Sequence, residues 1–242
     1  MSKSAELTRR DMKTPDTFQV VGGSAAAWIA SHRRQVGLGA GAVAILVVAA
    51  VTVGVLRARR AEAAGALLAD VYLAAGGELS AVPLPGVAGP FYADDAARQR
   101  AVIDAAAKVR AQYPGGRAAA GAALAEGDAH LRLGELDPAA AAYQAYLEGA
   151  RRDDSLRFGA LEGLAIVAEE RGRIDDALSG WARLAAEVPA LADRADLERA
   201  RLLAGAGRRD EARKLLEGFG AAHKGSGLAA DAASRLAELG GR

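Results

Sequence analysis

LEGLAIVAEERGRIDDALSGWARLAAEVP, residues 161 to 189, is the stretch that decides the fold. Gly172 ends one predicted helix, because glycine reaches the left-handed conformation without a Cβ clash. Asp175 follows a two-residue turn and is expected to cap the exposed N–H groups of a second helix. Pro189 ends that helix. The stretch therefore predicts a pair of helices joined by a tight turn.

The same register recurs on both sides of this stretch. Gly134, Gly172 and Gly207 are separated by 38 and then 35 residues. An aspartate, an alanine and a large side chain recur at the same two offsets. The alanine is expected where two helices cross closely, and the large side chain fills the space between units, where a small one leaves a cavity. The repeat signature is Gly134, Asp137, Ala139, Tyr143, Gly172, Asp175, Ala177, Trp181, Gly207, Asp210, Ala212 and Leu216.

Residues 123 to 147 and 161 to 189 resemble tetratricopeptide repeats (TPRs), antiparallel helix pairs that stack into a right-handed superhelix. The first unit departs from the repeat at Glu126, and the third, degenerate unit does so at Arg199 and Arg209. The resemblance implies an all-α chain in which residues 94 to 240 form a TPR-like α-solenoid of stacked antiparallel helix pairs with a C-terminal capping helix. The alternative is an Ala-rich helical bundle without superhelical order.

A membrane-spanning helix is predicted at residues 36 to 56. These 21 residues carry no charge, and a helix of that length reaches about 31 Å, which matches the hydrocarbon core. The rival is a cleavable signal peptide, which has an apolar core of about 7 to 15 residues. Length favours the uncleaved span. Gly37 and Gly41 form a GxxxG spacing, a weak argument for a homodimer.

The flanks of this span complete the predicted plan. Residues 1 to 22 are a basic flexible tail, residues 23 to 35 a juxtamembrane interfacial helix, and residues 57 to 93 a helix followed by a Pro and Gly hinge. An aromatic ring at headgroup depth and basic residues in the aqueous layer anchor such a helix. The anchor residues are Trp28, Arg33, Arg34, Arg57, Arg59 and Arg60. Charge alone does not decide the orientation.

Composition excludes several classes of function. Apolar residues make up 51% of the chain but aromatic residues only 5%, which favours helices over strands. Residues 61 to 242 hold 22 basic and 27 acidic side chains, which argues against nucleic acid as a partner. The chain has no cysteine, so it has no disulfide, thiolate metal site or lipidated cysteine.

Catalytic chemistry is not evident in the sequence. His32, His130 and His223 have no spacing typical of shared metal ligation, and adjacent acidic residues diverge on a helix. We therefore expect no enzyme activity, no cofactor and no metal. An enzymatic interpretation would need a pocket of convergent polar groups.

A protein-binding groove is expected along the first helix of each pair. Its predicted lining is Leu124, Asp128, Leu131, Glu162, Ile166, Glu169, Leu197 and Arg201. The alternative is that these residues are merely exposed. The carboxylate clamp of some chaperone-binding repeats needs basic and amide residues, but Leu124 and Asp128 stand at those places in the first unit.

The whole plan is similar to the bacterial family of ancillary SecYEG translocon subunits with an envelope-facing tetratricopeptide domain. Residues 7 to 19 (LTRRDMKTPDTFQ) are similar to the opening of membrane-anchored repeat proteins of that group. The resemblance implies an inner-membrane protein with a cytoplasmic N-terminus and a periplasmic repeat domain, which links the Sec translocon to periplasmic folding factors. The alternative is a cytoplasm-facing assembly scaffold for a membrane complex.

Overall fold

The computed structural model describes residues 27 to 240. The predicted basic tail at residues 1 to 22 lies outside this range. The chain divides into two compact units, Met1–Arg59 and Arg60–Arg242.

The first unit holds the apolar part of a helix that continues into the second unit. Residues 27 to 31 are helical, and helix α1 (Arg33–Ala75) follows. By its length and composition, α1 could cross a membrane. No residue in its most apolar 18-residue window is buried. The hydroxyl of Thr52 donates to the carbonyl of Val48 at 2.8 Å, which satisfies the polar group inside the helix. The Trp28 side chain is 57% exposed, and its ring stacks on that of His32.

The second unit is helical apart from one short strand pair. A 3-10 turn (Pro189–Leu191) precedes the helix that begins at Ala192. Adjacent helices pack against each other along the chain, which is consistent with an α-solenoid. The elements after α1 are β1 (Glu78–Leu79), β2 (Phe91–Tyr92), α2 (Asp95–Gln112), α3 (Gly116–Arg132), α4 (Leu136–Gly149), α5 (Arg157–Glu170), α6 (Ile174–Glu187), α7 (Ala192–Gly205), α8 (Arg209–Ala222) and α9 (Ala229–Gly240).

The folded unit begins earlier than residue 94, the predicted start of the repeat domain. Val71 and Ala74 of α1 are buried against Val102 and Val109 of α2 and Ala122 of α3. The C-terminal part of α1 therefore contributes to the core of the folded unit, because its apolar side chains pack with those of α2 and α3.

The predicted Pro and Gly hinge is closed at its base. Strand β1 pairs in parallel with β2, with Glu78 opposite Phe91. Gly77 lies so close to Tyr92 that a Cβ atom on residue 77 would be 2.4 Å from the tyrosine Cε2. Arg98 of α2 also donates to the Gly77 carbonyl at 3.3 Å. The loop between the strands is thereby tied to α2 at its two ends.

The three signature glycines have positive φ angles: 72° at Gly134, 70° at Gly172 and 78° at Gly207. The expectation that an aspartate caps the following helix is wrong. The next helices begin one residue before the aspartates, and their N-cap residues make no side-chain hydrogen bond. Asp137 and Asp175 lie in the first turn of their helices, where a negative charge interacts favourably with the helix dipole.

These aspartates connect neighbouring units instead. Arg171 donates to the carboxylate of Asp137. Arg208 donates to the Asp175 carboxylate at 2.6 Å. Each link joins the turn of one unit to the second helix of the unit before it.

The remaining signature positions are buried at every repeat. Ala139, Ala177 and Ala212 are each 0% exposed, so no larger side chain fits at the crossing. The large positions are almost as inaccessible, at 1% for Tyr143, 3% for Trp181 and 5% for Leu216.

Candidate protein-binding groove

The eight residues predicted to line a groove lie on the first helices of the three units, α3, α5 and α7. Polar members of the set contact one another or their neighbours, whereas the apolar members pack towards the cores. The structure therefore divides the predicted lining into paired charges and partly covered apolar side chains.

One bidentate ion pair joins two predicted residues. Arg201 of α7 donates from Nη1 and Nη2 to the two carboxylate oxygens of Glu169 of α5, at 2.8 and 2.7 Å. Its Nε donates to Glu198 at 2.7 Å. The Glu169 hydrogen bond, followed by that of Glu198, holds the pKa of Arg201 above its usual value. This guanidinium stays charged and links two repeat units.

A second ion pair also joins α7 to α5. Arg194 of α7 donates to the carboxylate of Glu162 on α5. Both pairs join residues 32 positions apart. Sequence reasoning selected Glu162 but missed Arg194, although opposite charges at one constant offset were a signal that could have found it. The acidic face of α5 is thus largely neutralised by α7.

Asp128 is held by the buried ring of the first unit. The hydroxyl of Tyr143 donates to Asp128 Oδ1 at 2.8 Å. Burial raises the pKa of Tyr143, so the phenol remains a donor. Desolvation also raises the pKa of Asp128, although its side chain keeps a solvent-exposed edge. This residue orients the tyrosine as well as contributing charge to the surface.

The apolar side chains of the predicted lining differ in how far they are exposed to solvent. Leu124 and Leu131 pack partly buried against the core around Tyr143, and Ile166 does so against the next core. Leu197 is only 4% exposed, so its assignment to the surface is corrected. It packs with Phe219 of α8 and Ala232 of α9, because the last helix covers that face of α7.

The third unit also contains a cavity of about 660 Å³ between α7, α8 and α9. Only Arg201 among its lining residues was predicted as part of a binding surface. The lining is Ala200, Arg201, Ala204, Arg209, Leu216, Arg235, Glu238 and Leu239.

The two histidines of the repeat domain, His130 and His223, each pair with a different carboxylate. His130 Nδ1 is 2.6 Å from the Glu135 carboxylate, and His223 Nε2 is 2.9 Å from that of Asp196. Among residues 27 to 240 no group of three or more His, Asp or Glu side chains is arranged to hold a metal ion.

Comparison with known protein families and with curated protein sequences gives no match for this chain.

Proposed function

We propose that this chain is a single-pass membrane protein whose TPR-like repeat unit binds partner proteins as a scaffold. The observation that carries the proposal is the continuity of α1. Residues 36 to 56 of this helix are apolar and exposed, while its far end supplies Val71 and Ala74 to the repeat core. One helix thereby joins a lipid-compatible segment to a stack of helix pairs.

Exposure of the apolar segment supports the membrane part of the proposal. Leu46 is 69% exposed, Val48 65% and Val51 60%, and their neighbours along the span are similarly uncovered. Water-exposed helices of globular proteins present an apolar stripe on one face, whereas this one is apolar all round. A bilayer is the environment that would cover such a surface on every side.

The repeat geometry supports the TPR-like part. Each of three units has a left-handed glycine, a fully buried alanine and a large buried side chain at the same relative positions. Stacked pairs of this kind present the first helix of each pair on one surface, where partner peptides or helices dock. Here that surface carries partly covered leucine and isoleucine side chains beside paired charges.

The resemblance to ancillary SecYEG translocon subunits refines the proposal. On that basis the chain is an envelope-facing adaptor or chaperone-like accessory of the Sec translocon in the bacterial inner membrane. Its N-terminus is cytoplasmic, and its repeat unit meets proteins that emerge from the translocon or the folding factors that receive them. It acts by holding proteins near the membrane and needs no cofactor.

One observation favours a second candidate, a cytoplasm-facing assembly scaffold. Three arginines, Arg57, Arg59 and Arg60, follow the apolar segment, whereas two, Arg33 and Arg34, directly precede it. Basic residues within about 15 to 20 positions of a span favour the cytoplasmic side. This small excess argues for the opposite topology with the same fold.

Two measurements on the full chain test the proposal. A photoreactive amino acid at Ile166, on the proposed binding surface, should crosslink to specific proteins in living cells, whereas the same group at exposed Ser179 on α6 should not. Protease added to spheroplasts should digest the repeat unit if it faces the envelope and should spare it under the second candidate. Release of the chain from membranes by alkaline carbonate, or equal crosslinking from both positions, would contradict the scaffold proposal.

A further inference from the structure

The cavity between α7, α8 and α9 exists because the third unit departs from the repeat. Leu216 occupies the position of Tyr143 and Trp181, the rings that fill the equivalent spaces in the first two units. Ala204 likewise stands at the position of Leu131 and Glu169. Smaller side chains at both places leave the cavity of about 660 Å³ open.

A third departure gives the cavity its charge. Arg209 replaces the aliphatic side chains of Leu136 and Ile174, which pack partly buried against the cores of their own units. Arg209 instead is exposed at the cavity and makes no hydrogen bond or ion pair with any residue between 27 and 240. A residue type that weakens the repeat therefore lies at the wall of this cavity.

The other charged residues of the lining do not cancel this charge. Arg235 donates to the backbone carbonyl of Leu197 at 3.0 Å and has no carboxylate partner within the described range. Arg201 is already paired with Glu169 and Glu198. Glu238 is the single acidic residue in the lining, against three arginines. The cavity thus has apolar walls and a surplus of positive charge.

We propose that this cavity binds an acidic peptide segment of a partner protein. A large apolar side chain of the peptide enters the space left by Leu216 and Ala204. A neighbouring peptide carboxylate accepts charge-assisted hydrogen bonds from Arg209 and Arg235. The volume lies in the range of ligand pockets, about 300 to 1,000 Å³. This inference rests on the proposed scaffold function and names the chemistry of its partner.

The experiment uses the full-length protein in zwitterionic lipid nanodiscs and a fluorescein-labelled peptide, acetyl-Gly-Ser-Asp-Phe-Glu-Gly-Ser-amide. Fluorescence polarisation should show saturable binding. Two matched peptides, one with Asn and Gln for the acids and one with Ala for Phe, should bind about tenfold or more weakly. Equal binding of the neutral peptide, or no binding of the acidic one, would overturn the proposal.

Two variants restore the repeat pattern and should close the site. Leu216→Trp places the residue type of Trp181 in the cavity, and Arg209→Ile restores the aliphatic residue. Each should weaken acidic-peptide binding about tenfold or more, while Arg173→Ile, which removes an exposed arginine next to Ile174, should leave it unchanged. If Leu216→Trp does not fold, Arg209→Ile alone decides, and unaltered binding by that variant would overturn the proposal.

Other occupants would give different results. Displacement of the peptide by anionic lipid, or a dimer lost in Leu216→Trp, would identify the occupant as a lipid headgroup or a second copy and would overturn the inference. Failure here is distinguishable from failure of the scaffold function. If the unmodified protein crosslinks from Ile166 but does not bind the acidic peptide, only the peptide site is refuted.

Discussion

Tyr143 lies in a space that exists because residue 163 is glycine. A Cβ atom on residue 163 would be 2.3 Å from Tyr143 Cζ, far inside van der Waals contact. The ring also meets Gly127 of α3, where a Cβ atom would be 2.7 Å from Cδ1. The ring of α4 is therefore fitted between the first helices of two successive units, and it fixes their spacing.

We expect Gly163→Ala to destabilise the repeat unit. Alanine in a helix interior gains roughly 1 kcal/mol over glycine from conformational propensity. Overpacking a filled site costs about 1 to 3 kcal/mol, and the ring of Tyr143 is only 1% exposed and cannot move aside. The difference leaves a net loss of up to about 2 kcal/mol, which urea unfolding followed by circular dichroism would measure.

Gly218→Ala is the matched control, because Gly218 lies in helix α8 with no atom within 4 Å of its Cβ position. There the propensity gain is not opposed by a clash, so the midpoint of unfolding should stay or rise. A second variant, Gly163→Ala with Tyr143→Leu, should recover part of the loss. Equal behaviour of the two alanine variants would contradict the proposed fit.

Asp94 and Asp137 should differ in their effect on stability. Asp94 is a true N-cap, since its carboxylate accepts from the Ala97 N–H at 2.7 Å at the start of α2. Asp94→Ala should cost about 1 kcal/mol in urea unfolding. Asp137 makes no capping bond, and its side chain is 94% exposed in its pair with Arg171. Asp137→Ala should change the unfolding midpoint less than Asp94→Ala, and the reverse order would restore the capping role.

The repeat could be predicted from sequence because its signature depends on local chemistry. Gly172 needs a left-handed turn whatever its surroundings, and Ala177 is small because two helices of the same pair cross there. Both requirements act within one unit, so they recur at the same offsets. The burial of Ala177 and the positive φ of Gly172 follow this expectation.

Features that depend on contacts between units were less accessible. Leu197 was assigned to the surface from its register, but α9 covers it, and the position of a last helix is not encoded at residue 197. Similarly, the pairing of Arg194 with Glu162 requires the stacking distance between α5 and α7. The parallel pairing of β1 with β2 depends on how the loop between them brings the two strands together. Strands of two residues are too short to be recognised from a sequence pattern.

Glu187→Gln should destabilise the protein in a pH-dependent way. Arg157 is only 8% exposed, and its Nη2 donates to Glu187 Oε2 at 2.7 Å. That hydrogen bond holds the pKa of Glu187 below its ordinary value of 4.5. At neutral pH the substitution leaves a buried guanidinium without its counter-charge, and we expect a loss of about 1 to 3 kcal/mol in urea unfolding.

The sign of the pH effect follows from the lowered pKa. The stabilisation is present above the ordinary value of 4.5 and is lost as the pH falls through the lower folded value, because protonation removes the charge that Arg157 requires. The difference between wild type and Glu187→Gln should therefore shrink below pH 4.5. Glu217→Gln, at an exposed site on α8, is the control and should show no such trend.

A charge in the middle of the apolar segment should separate membrane insertion from folding. Leu46 lies near the centre of residues 36 to 56 and is 69% exposed, so Leu46→Arg removes no packing within the chain. At the centre of a span arginine costs about 2.5 to 3.5 kcal/mol in insertion. The variant should be extracted by alkaline carbonate more readily than wild type or Leu46→Ile, while the repeat unit keeps its protease resistance. The core of that unit receives its part of α1 only from Ala64 onwards. Loss of protease resistance in Leu46→Arg would therefore contradict the separation, because the apolar segment would then stabilise the fold itself.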